Sequence, residues 1–295
     1  MKQHSLTVFT PTYNRASLLG GLYASLKAQT NKDFCWLIVD DGSTDETEAT
    51  VLAFIAEGAI DITYHKQPNS GKHVAHNRGV QLSETELFVC VDSDDTLCPT
   101  AVERTLAFWQ AWRGQADIAG IVSPRDIAGH AYMVDPPKAA TLMALYNRGR
   151  LVGDSMLVFR REVLARYPFP VIEGETFLSE CVVYDQIDRT YRLAVQNEFL
   201  YRSEYRADGL TRNIRRTHWK NPRGVLLMYH TIAAYQQSAL AAAKAQGAYL
   251  AWQRVAGVTL PGKAAPVAWY VRLAGRLLRR HYEAIFLEER AQFCP

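Results

Sequence analysis

The sequence predicts an α/β fold, built on a mostly parallel, doubly wound sheet and followed by a helical C-terminal extension. Three observations predict it. Up to residue 95, four short apolar runs alternate with segments of helical spacing. Three of these runs end in loops rich in polar side chains, at 11–15, 40–45 and 92–95. Beyond Arg212 the chain is alanine-rich and basic and keeps a helical pattern.

The four apolar runs are predicted as strands because each is short and stops at a turn signal. They lie at 6–10, 35–39, 60–66 and 87–91. The intervening segments are predicted as helices at 17–29, 46–57 and 73–83. Strand–helix–strand order implies right-handed crossovers and a parallel sheet. Ligands of such sheets bind at the carboxyl ends of the strands, so the polar loops predict a binding site there.

The second half of the chain has weaker signals. Strands are predicted at 118–123 and 156–159, with one or two more in 191–201, and residues 124–150 are irregular apart from a helix at 141–147. The remaining predicted helices are 101–112, one ending near 167, 182–190, 223–246, 248–256 and 266–286.

Charge is distributed unevenly along the 295 residues, of which 48% are hydrophobic and 21% charged. Residues 1–210 hold 20 Lys and Arg against 27 Asp and Glu, whereas 211–295 hold 13 against 3. A basic tail on an acidic body predicts an anionic partner for the tail, either a membrane surface or nucleic acid.

The five cysteines are odd in number and form no CxxC pair, so they indicate neither a disulfide framework nor a zinc site. Cys35 and Cys90 lie in apolar runs and are expected in the core. Lys2 is not followed by an apolar signal-peptide core, and no apolar run approaches the 18 or so residues of a membrane span. We therefore expect a cytoplasmic protein.

The stretch 89–95 reads Val-Cys-Val-Asp-Ser-Asp-Asp and ends the fourth predicted strand. Three clustered carboxylates repel one another unless a cation lies among them. In an extended backbone Asp92 and Asp94 would project to the same side, which suits magnesium or manganese holding a diphosphate. The alternative is a solvated acidic turn in which Asp95 caps the next helix.

Five short motifs, taken together, carry a family resemblance: 10–14, 39–45, 69–73, 77–79 and 92–94. In this order they resemble the family 2 glycosyltransferases, a group of inverting enzymes with the GT-A fold. Residues 153–213 resemble, more loosely, a subgroup from polysaccharide and cell-surface glycan loci. That match rests on 168–170, 173–175, Glu180 and 209–211.

The resemblance implies a nucleoside diphosphate sugar as donor, with UDP expected, and a divalent cation, manganese or magnesium. Tyr13 would stack on the base, Asp41 would accept a hydrogen bond from it, and Lys72 would reach the base or the diphosphate. Asp92 would face the ribose and Asp94 would ligate the metal. The implied donor-binding residues are Pro11, Tyr13, Asp41, Lys72, Asp92 and Ser93.

An inverting transfer also needs a base for the acceptor hydroxyl. The family often supplies it as Glu-Asp at the start of a helix, and here the corresponding residues are Glu180 and Cys181. Glu180 is the predicted base, with Glu175 and Asp185 in reserve. Its alternative role is capping the helix. Asp154 and Trp219 are possible neighbours of the acceptor.

These assignments imply a catalytic domain at 1–215, with a nucleotide-binding half at 1–100 and an acceptor half at 101–215, and a basic helical region at 216–295. The implied acceptor is a glycan or a lipid-linked oligosaccharide. In 266–286 an apolar stripe flanked by arginines predicts either contact with an anionic membrane or packing on the protein itself. The stripe comprises Val267, Tyr270, Val271, Ala274, Leu277, Leu278, Tyr282, Ile285 and Phe286.

Three other functions compete with this assignment. A sugar-nucleotide pyrophosphorylase would need a glycine-rich, arginine-containing loop after the first strand, which 11–14 does not provide. A catalytically inactive nucleotide- or glycan-binding module is favoured only by Cys181. Nucleic-acid binding by the tail lacks interleaved aromatic residues and a known motif, so no nucleic-acid partner is expected.

Overall fold

The computed structural model describes residues 4–127, 131–203, 210–260 and 265–293, so Gly209 of the looser motif and Cys294 lie outside it. The chain forms two compact units. The first comprises Met1–Pro168 and Thr190–Tyr205, and the second Phe169–Arg189 and Arg206–Pro295. By this division, residues 169–189 group with the C-terminal helices. The predicted domain boundary at residue 215 stays a prediction.

The first unit contains all of the described strands. They are β1 Leu6–Thr12, β2 Phe34–Asp40, β3 Ile62–Lys66, β4 Leu87–Cys90, β5 Thr96–Leu97, β6 Ile118–Ile127, β7 Tyr132–Met133, β8 Ala139–Ala140, β9 Leu151–Val152, β10 Ser155–Arg160, β11 Arg192–Val195 and β12 Tyr201–Ser203. Its helices are α1 Ala16–Lys27, α2 Thr47–Glu57, α3 Lys72–Leu82, α4 Ala101–Gln110, α5 Leu142–Asn147 and α6 Arg161–Arg166.

The main sheet has the strand order β3-β2-β1-β4-β10-β6-β11-β8. Strands β3, β2, β1 and β4 are parallel, and β1 is central to them because Leu6 pairs with both Phe34 and Leu87. Strand β10 runs antiparallel between β4 and β6, and β11 is parallel to β6. The predicted mostly parallel, doubly wound α/β sheet is confirmed.

Successive side chains of a strand point to opposite faces of the sheet. Because the apolar side chains of the central strands point to both faces, helices cover both. Val8 of β1 and Ile38 of β2 are fully buried in one core cluster with Leu22 of α1 and Trp109 of α4. On the other face, the ring of Phe9 stacks on Phe88 at 5.1 Å between centroids. A fully buried leucine or isoleucine contributes roughly 1.5–3 kcal/mol, so this two-sided core fixes the sheet against slipping.

Strand β6 is longer than predicted, because it continues through Pro124, Arg125 and Asp126 to Ile127. Proline and charged residues after an apolar run indicate a loop, which is why the prediction stopped at residue 123. The extension is stabilised by distant partners. Pro124 pairs with Ser155 of β10, and Arg125 pairs with Tyr201 of β12.

The second unit is helical. It contains α7 Cys181–Ile187, α8 Leu210–Lys220, α9 Pro222–Tyr235, α10 Ala239–Ala256 and α11 Trp269–Phe293. Helix α8 was not predicted, and the predicted helices 223–246 and 248–256 were wrong in their boundary. The chain breaks at 236–238 because the Ser238 hydroxyl caps α10 by accepting from the Ala241 N–H.

Gly247, at which the sequence predicted a break, lies inside α10. It is retained in the helix because α10 and α11 approach closely there. A Cβ on Gly247 would lie 2.9 Å from Cβ of Leu278, and a Cβ on Gly275 would lie 2.5 Å from Cγ of Gln246. No helix in the described ranges is both long and apolar enough to span a bilayer.

The apolar stripe predicted in 266–286 packs mainly inside the second unit. Val267, Val271 and Phe286 are buried, whereas Tyr270 and Leu277 are exposed. The packing of its buried members matches the alternative interpretation, a helix packed on its own protein. The predicted contact of 266–286 with an anionic membrane stays a prediction.

Candidate active site

The loops that follow β1 and β2 are joined by hydrogen bonds at the carboxyl ends of the strands. Asn14 adopts φ +52° and its Oδ1 accepts from the Thr44 N–H at 2.8 Å. Its own N–H donates to Oγ of Ser43 at 2.8 Å. Tyr13, in the same loop, is 48% exposed, and Pro11 is half-buried in β1. The aromatic ring is therefore presented to solvent above this edge of the sheet.

Asp41 joins the second polar loop to the third. Its Oδ1 accepts from Gln67 Nε2 at 2.8 Å and from the Ser70 N–H at 2.9 Å, and its Oδ2 accepts from the Gly71 N–H at 2.7 Å. Gly71 has φ +96°, a conformation that favours glycine. An ionised carboxylate offers about four acceptor positions, so roughly one remains for a ligand.

Asp40 is fully buried and shapes the loop in which Asp41 lies. It accepts hydrogen bonds from the Ser43 N–H at 2.7 Å and from the Tyr64 hydroxyl at 2.6 Å. Burial and this carboxylate raise the pKa of Tyr64, so the phenol stays a donor at neutral pH. Asp40 thus stabilises the loop that carries Asp41 without being exposed to a ligand itself.

The acidic segment after β4 is a turn, which corrects the extended backbone assumed from the sequence. Strand β4 ends at Cys90, and the Asp95 N–H donates to the Asp92 carbonyl at 3.1 Å. Ser93 is buried, whereas Asp92 and Asp94 are half-buried. This hydrogen bond closes the turn, so Asp92 and Asp95 do not continue the extended strand.

Protein cations lie among these carboxylates. Lys72 Nζ lies 2.8 Å from Asp92 Oδ1, and Arg125 Nη2 lies 3.7 Å from Asp92 Oδ2. Arg125 also forms an ion pair with Asp95. Burial favours the neutral acid, but Lys72 and Arg125 together hold the pKa of Asp92 below its usual value. The repulsion expected from the sequence is therefore relieved in large part by the chain's own side chains.

Tyr201 completes a buried cluster under the turn. Its hydroxyl donates to Asp95 Oδ2 at 2.7 Å and accepts from the Asp92 N–H at 3.0 Å. The guanidinium of Arg125 lies 4.4 Å from the centroid of the Tyr201 ring, and its Nε donates to Ser203 Oγ at 2.6 Å. Burial raises the pKa of Asp95 to about 7, against the opposing effect of Arg125.

The sequence pattern does not point to Arg125 or Tyr201 as site residues. Arg125 follows Ser123 and Pro124 in a segment that resembles a loop, and Tyr201 ends a weakly defined strand. The available signal is their place in the sequence, because each lies at or just beyond the end of a predicted strand. Strand ends at one edge of a sheet lie close together, so such residues are candidates for a shared site.

The sequence profile of the family described as Glycosyl transferase family 2 matches residues 7–167, more than half of the chain and all of the loops described above. The chain belongs to glycosyl transferase family 2.

Two relatives are similar to it. An uncharacterized glycosyltransferase of Nostoc sp. PCC 7120 is 27% identical over 61% of this chain and 58% of its own length. A validoxylamine A glucosyltransferase of Streptomyces hygroscopicus subsp. jinggangensis is 33% identical over 44% and 29%. The chain thus covers less than two thirds of either relative.

Two solved structures share the fold. TarS 1–349 of S. aureus in complex with UDP has a TM-score of 0.60 at 17% identity, covering 96% of this chain and 91% of that one. The mannosyltransferase PcManGT of Pyrobaculum calidifontis, in complex with GDP-Man and Mn²⁺, has a TM-score of 0.53 at 19% identity, covering 99% and 84%. These likenesses confirm the GT-A fold predicted for this family 2 chain.

The donor atoms of the acidic turn bear on whether this family 2 chain could hold a divalent cation. Within the described ranges, no group of three His, Cys, Asp or Glu side chains could hold a metal ion by itself. Asp92 forms an ion pair with Lys72, and Asp95 forms one with Arg125. Magnesium sites commonly use one or two carboxylates plus substrate phosphates. The residues therefore fit a cation shared with a diphosphate and do not form a cage.

The predicted base and its reserves lie in the second unit of this family 2 protein. Glu180 is exposed and immediately precedes α7. Burial raises the pKa of the Cys181 thiol to about 12, so the thiol is protonated at neutral pH and cannot serve as a base. Burial and the nearby Asp188 raise the pKa of Asp185 to about 7.

Glu175 has a structural role that weakens its candidacy as the base. It is buried, and its Oε1 accepts from the Arg223 N–H at 2.9 Å while its Oε2 accepts from the Gly224 N–H at 2.7 Å. It thereby satisfies the first amides of α9. Asp154 and Trp219 are also predicted as neighbours of the acceptor. Asp154 is an exposed residue of the first unit. Trp219 belongs to the second unit, where the centroid of its ring lies 4.4 Å from that of Trp252.

Proposed function

We propose that this chain is an inverting glycosyltransferase that transfers a sugar from a nucleoside diphosphate sugar, most consistently a UDP-sugar, to a glycan or lipid-linked oligosaccharide. One observation carries the proposal. The loops after β1, β2 and β3 are bonded to one another, and Lys72 at the end of the third reaches Asp92 after β4. Family membership and the nucleotide complexes of TarS and PcManGT support it.

The base of the donor would bind at Tyr13 and Asp41. The ring of Tyr13 is exposed, and stacking of a base on such a ring contributes about 1–3 kcal/mol. Asp41 is held rigid by three donors, so its remaining acceptor position is fixed toward an N–H of the base. Pro11 would shape the strand end beneath the ring.

The diphosphate and ribose would bind over the acidic turn. Lys72, 44% exposed in its side chain, can exchange its contact with Asp92 for a phosphate oxygen. Asp92 would face the ribose, and buried Ser93 would fix the turn between the two aspartates. Asp94 would hold the divalent cation, manganese or magnesium, which acts as a Lewis acid on the leaving diphosphate when bound.

Glu180 would accept the proton of the acceptor hydroxyl. As that proton leaves, the hydroxyl oxygen forms a bond to the anomeric carbon, and the bond from this carbon to the diphosphate oxygen breaks with inversion. Asp185 is the second candidate, because a carboxyl group with a pKa near 7 suits a base at neutral pH.

The acceptor class rests on the looser resemblance of residues 153–213 to enzymes of surface glycan loci. A cytoplasmic location, at the inner face of the membrane, fits a lipid-linked acceptor. Association of 266–286 with an anionic membrane would bring such an acceptor to the enzyme. The relative named for validoxylamine A indicates that small acceptors also belong in a screen.

A catalytically inactive nucleotide- or glycan-binding module is the second candidate. Cys181 favours it, because a thiol that is protonated at neutral pH stands beside the predicted base. Such a protein would bind UDP through the same loops but turn over no donor.

Donor hydrolysis separates the two candidates. UDP- and GDP-sugars would be screened with and without manganese, and the active donor then offered glycan, lipid-linked and small acceptors. We expect turnover of one UDP-sugar and a product whose anomeric configuration, read by NMR, is opposite to that of the donor. UDP binding without turnover of any donor would favour the inactive module, and retention of configuration would exclude the inverting mechanism.

A further inference from the structure

The solvent-facing side of the first half of α11 carries a row of large apolar side chains. Trp269, Leu273 and Leu277 are 72%, 54% and 81% exposed. Their spacing of four residues places them in one line along the helix. Exposed apolar side chains that lie together, unlike scattered ones, indicate a contact surface. We call these three residues and the arginines beside them the outer face of α11.

Three arginines are interleaved with this row. Arg272, Arg276 and Arg280 are all exposed, and residues 265–282 contain four arginines but no acidic residue. The fourth, Arg279, lies 3.3 Å from Glu283. For the other three, no carboxylate of the described residues lies within salt-bridge distance. The outer face therefore combines apolar side chains with uncompensated positive charge.

The opposite side of α11 fixes which face points outward. Val271 and Phe286 are buried, and Gly275 packs against Gln246 of α10. Arg290 donates from its Nη1 to the Val255 carbonyl at 2.6 Å. Because these contacts hold the helix along its length, α11 cannot roll to expose the buried stripe. Leu277 is shared with the predicted stripe, but the row as a whole is a different one.

We propose that the outer face of α11 binds the surface of an anionic lipid bilayer. Trp269, Leu273 and Leu277 enter the headgroup region, and Arg272, Arg276 and Arg280 contact lipid phosphates. The inference deepens the proposed function and rests on it for its purpose, since it brings the enzyme to a lipid-linked acceptor. Binding itself requires no turnover.

Charge complementarity favours a lipid surface over a second copy of the chain. In a two-fold dimer through this face, each arginine row would meet the other, and like charges at close range are unfavourable. An anionic bilayer instead supplies a phosphate for every guanidinium.

The test is sedimentation of the full chain with phosphatidylcholine vesicles, with and without phosphatidylglycerol. We expect binding only to the anionic vesicles, weakened by added salt. Arg276→Gln and Arg280→Gln should each weaken binding about fivefold. The double variant Leu273→Ser/Leu277→Ser should weaken it about tenfold or more.

The matched controls lie on α10. They are Leu240→Ser, at a leucine that is 64% exposed, and Lys244→Gln, at an exposed lysine. Both should bind vesicles like the wild type.

Equal binding by the outer-face variants and the controls would overturn the proposal, as would no binding by the wild type. Light scattering tests whether a second copy of the chain binds this face. A wild-type dimer that Leu277→Ser dissociates would assign the outer face of α11 to dimerisation and overturn the proposal. Donor hydrolysis without vesicles, measured on the same variants, should stay at the wild-type rate. Vesicle binding by a protein that turns over no donor would overturn the proposed function and leave this inference standing.

Discussion

The hydroxyl of Tyr201 donates a hydrogen bond to Asp95 at 2.7 Å and at the same time accepts one from the backbone N–H of Asp92 at 3.0 Å. One side chain from a distant strand thus fixes both ends of the acidic turn. Because Asp94 lies between these ends, the position of the proposed cation ligand depends on Tyr201. The phenol is fully buried, and burial raises its pKa, so it remains protonated.

Tyr201→Phe should weaken UDP binding without abolishing it. The change removes the donor to Asp95 and leaves the Asp92 N–H buried without its acceptor, at a cost to stability of about 1–3 kcal/mol. We expect lower stability by denaturant unfolding and a several-fold higher Kd for UDP by calorimetry. Tyr132→Phe, at a tyrosine that is 48% exposed, is the control and should change neither quantity. An unchanged Kd in Tyr201→Phe would show that the turn is held without the phenol.

Asp94→Ala should remove the dependence of UDP binding on manganese. Asp94 lies in the acidic turn at the position where the family resemblance implies a cation ligand, and magnesium sites commonly combine one or two carboxylates with substrate phosphates. The measurement is UDP affinity with and without manganese for the wild type and the variant. Asp126→Ala, on β6, is the control. A manganese effect of the same size in Asp94→Ala and the wild type would move the ligand elsewhere.

Much of this site could be predicted from the sequence because its parts are local. Tyr13, Asp41 and Asp94 each lie two or three residues beyond the end of an apolar run, so the strand ends are visible without tertiary information. Arg125 could not be found in that way. Its segment resembles a loop and becomes a strand only by pairing with β12. The positive charge that Arg125 supplies to the acidic turn therefore cannot be predicted from the sequence pattern.

Side-chain roles were harder to predict than positions. Asp41 was predicted as a ligand to the base, yet three of its acceptor positions already hold the loop 67–71. Glu175, a reserve candidate for the base, accepts hydrogen bonds from the first amides of α9. Gly247 resembled a helix break because glycine disfavours helices, and only the close packing of α11 explains it.

Glu180→Gln should keep UDP binding and lose transfer by at least about a hundredfold, since removing a general base typically costs 10²–10⁴ in rate. Asp185→Asn, one turn further along α7, is the comparison. If Glu180 is the base, Asp185→Asn retains most of the kcat. The opposite pattern would assign the base to Asp185, whose pKa of about 7 would then appear as the acidic limb of the pH–rate profile.

His76 should make the first unit sensitive to acid. Its ring packs between Phe9 and Phe88, at 5.7 Å and 5.3 Å between centroids, and burial, with nearby Lys72, lowers its pKa from 6.5 to about 3. Above pH 6.5 neither the folded nor the unfolded state binds the proton. Below it only the unfolded state does, so stability falls as the pH drops toward 3, by about 5 kcal/mol in all.

The measurement is the free energy of unfolding at pH 7 and pH 5 for the wild type and His76→Phe. The wild type should lose about 2 kcal/mol more than the variant over this interval, because one and a half pKa units separate 6.5 from 5. His281→Phe, at an exposed histidine of α11, should keep the wild-type difference. Equal losses in His76→Phe and the wild type would show that His76 does not titrate in this way.

Gly275→Ala should destabilise the second unit by about 1–3 kcal/mol, because overpacking a close helix contact forces the backbones apart. The added Cβ would lie 2.5 Å from Cγ of Gln246 and 3.0 Å from its backbone carbonyl carbon, so a rotamer change alone cannot relieve it. Gly20→Ala in α1 is the matched control, since a Cβ there meets nothing within 4 Å. Replacing glycine in a helix interior should instead stabilise by roughly 0.5–1 kcal/mol. Opposite signs for the two variants in thermal unfolding are the expected result, and a stabilising Gly275→Ala would show that α10 and α11 lie further apart than described.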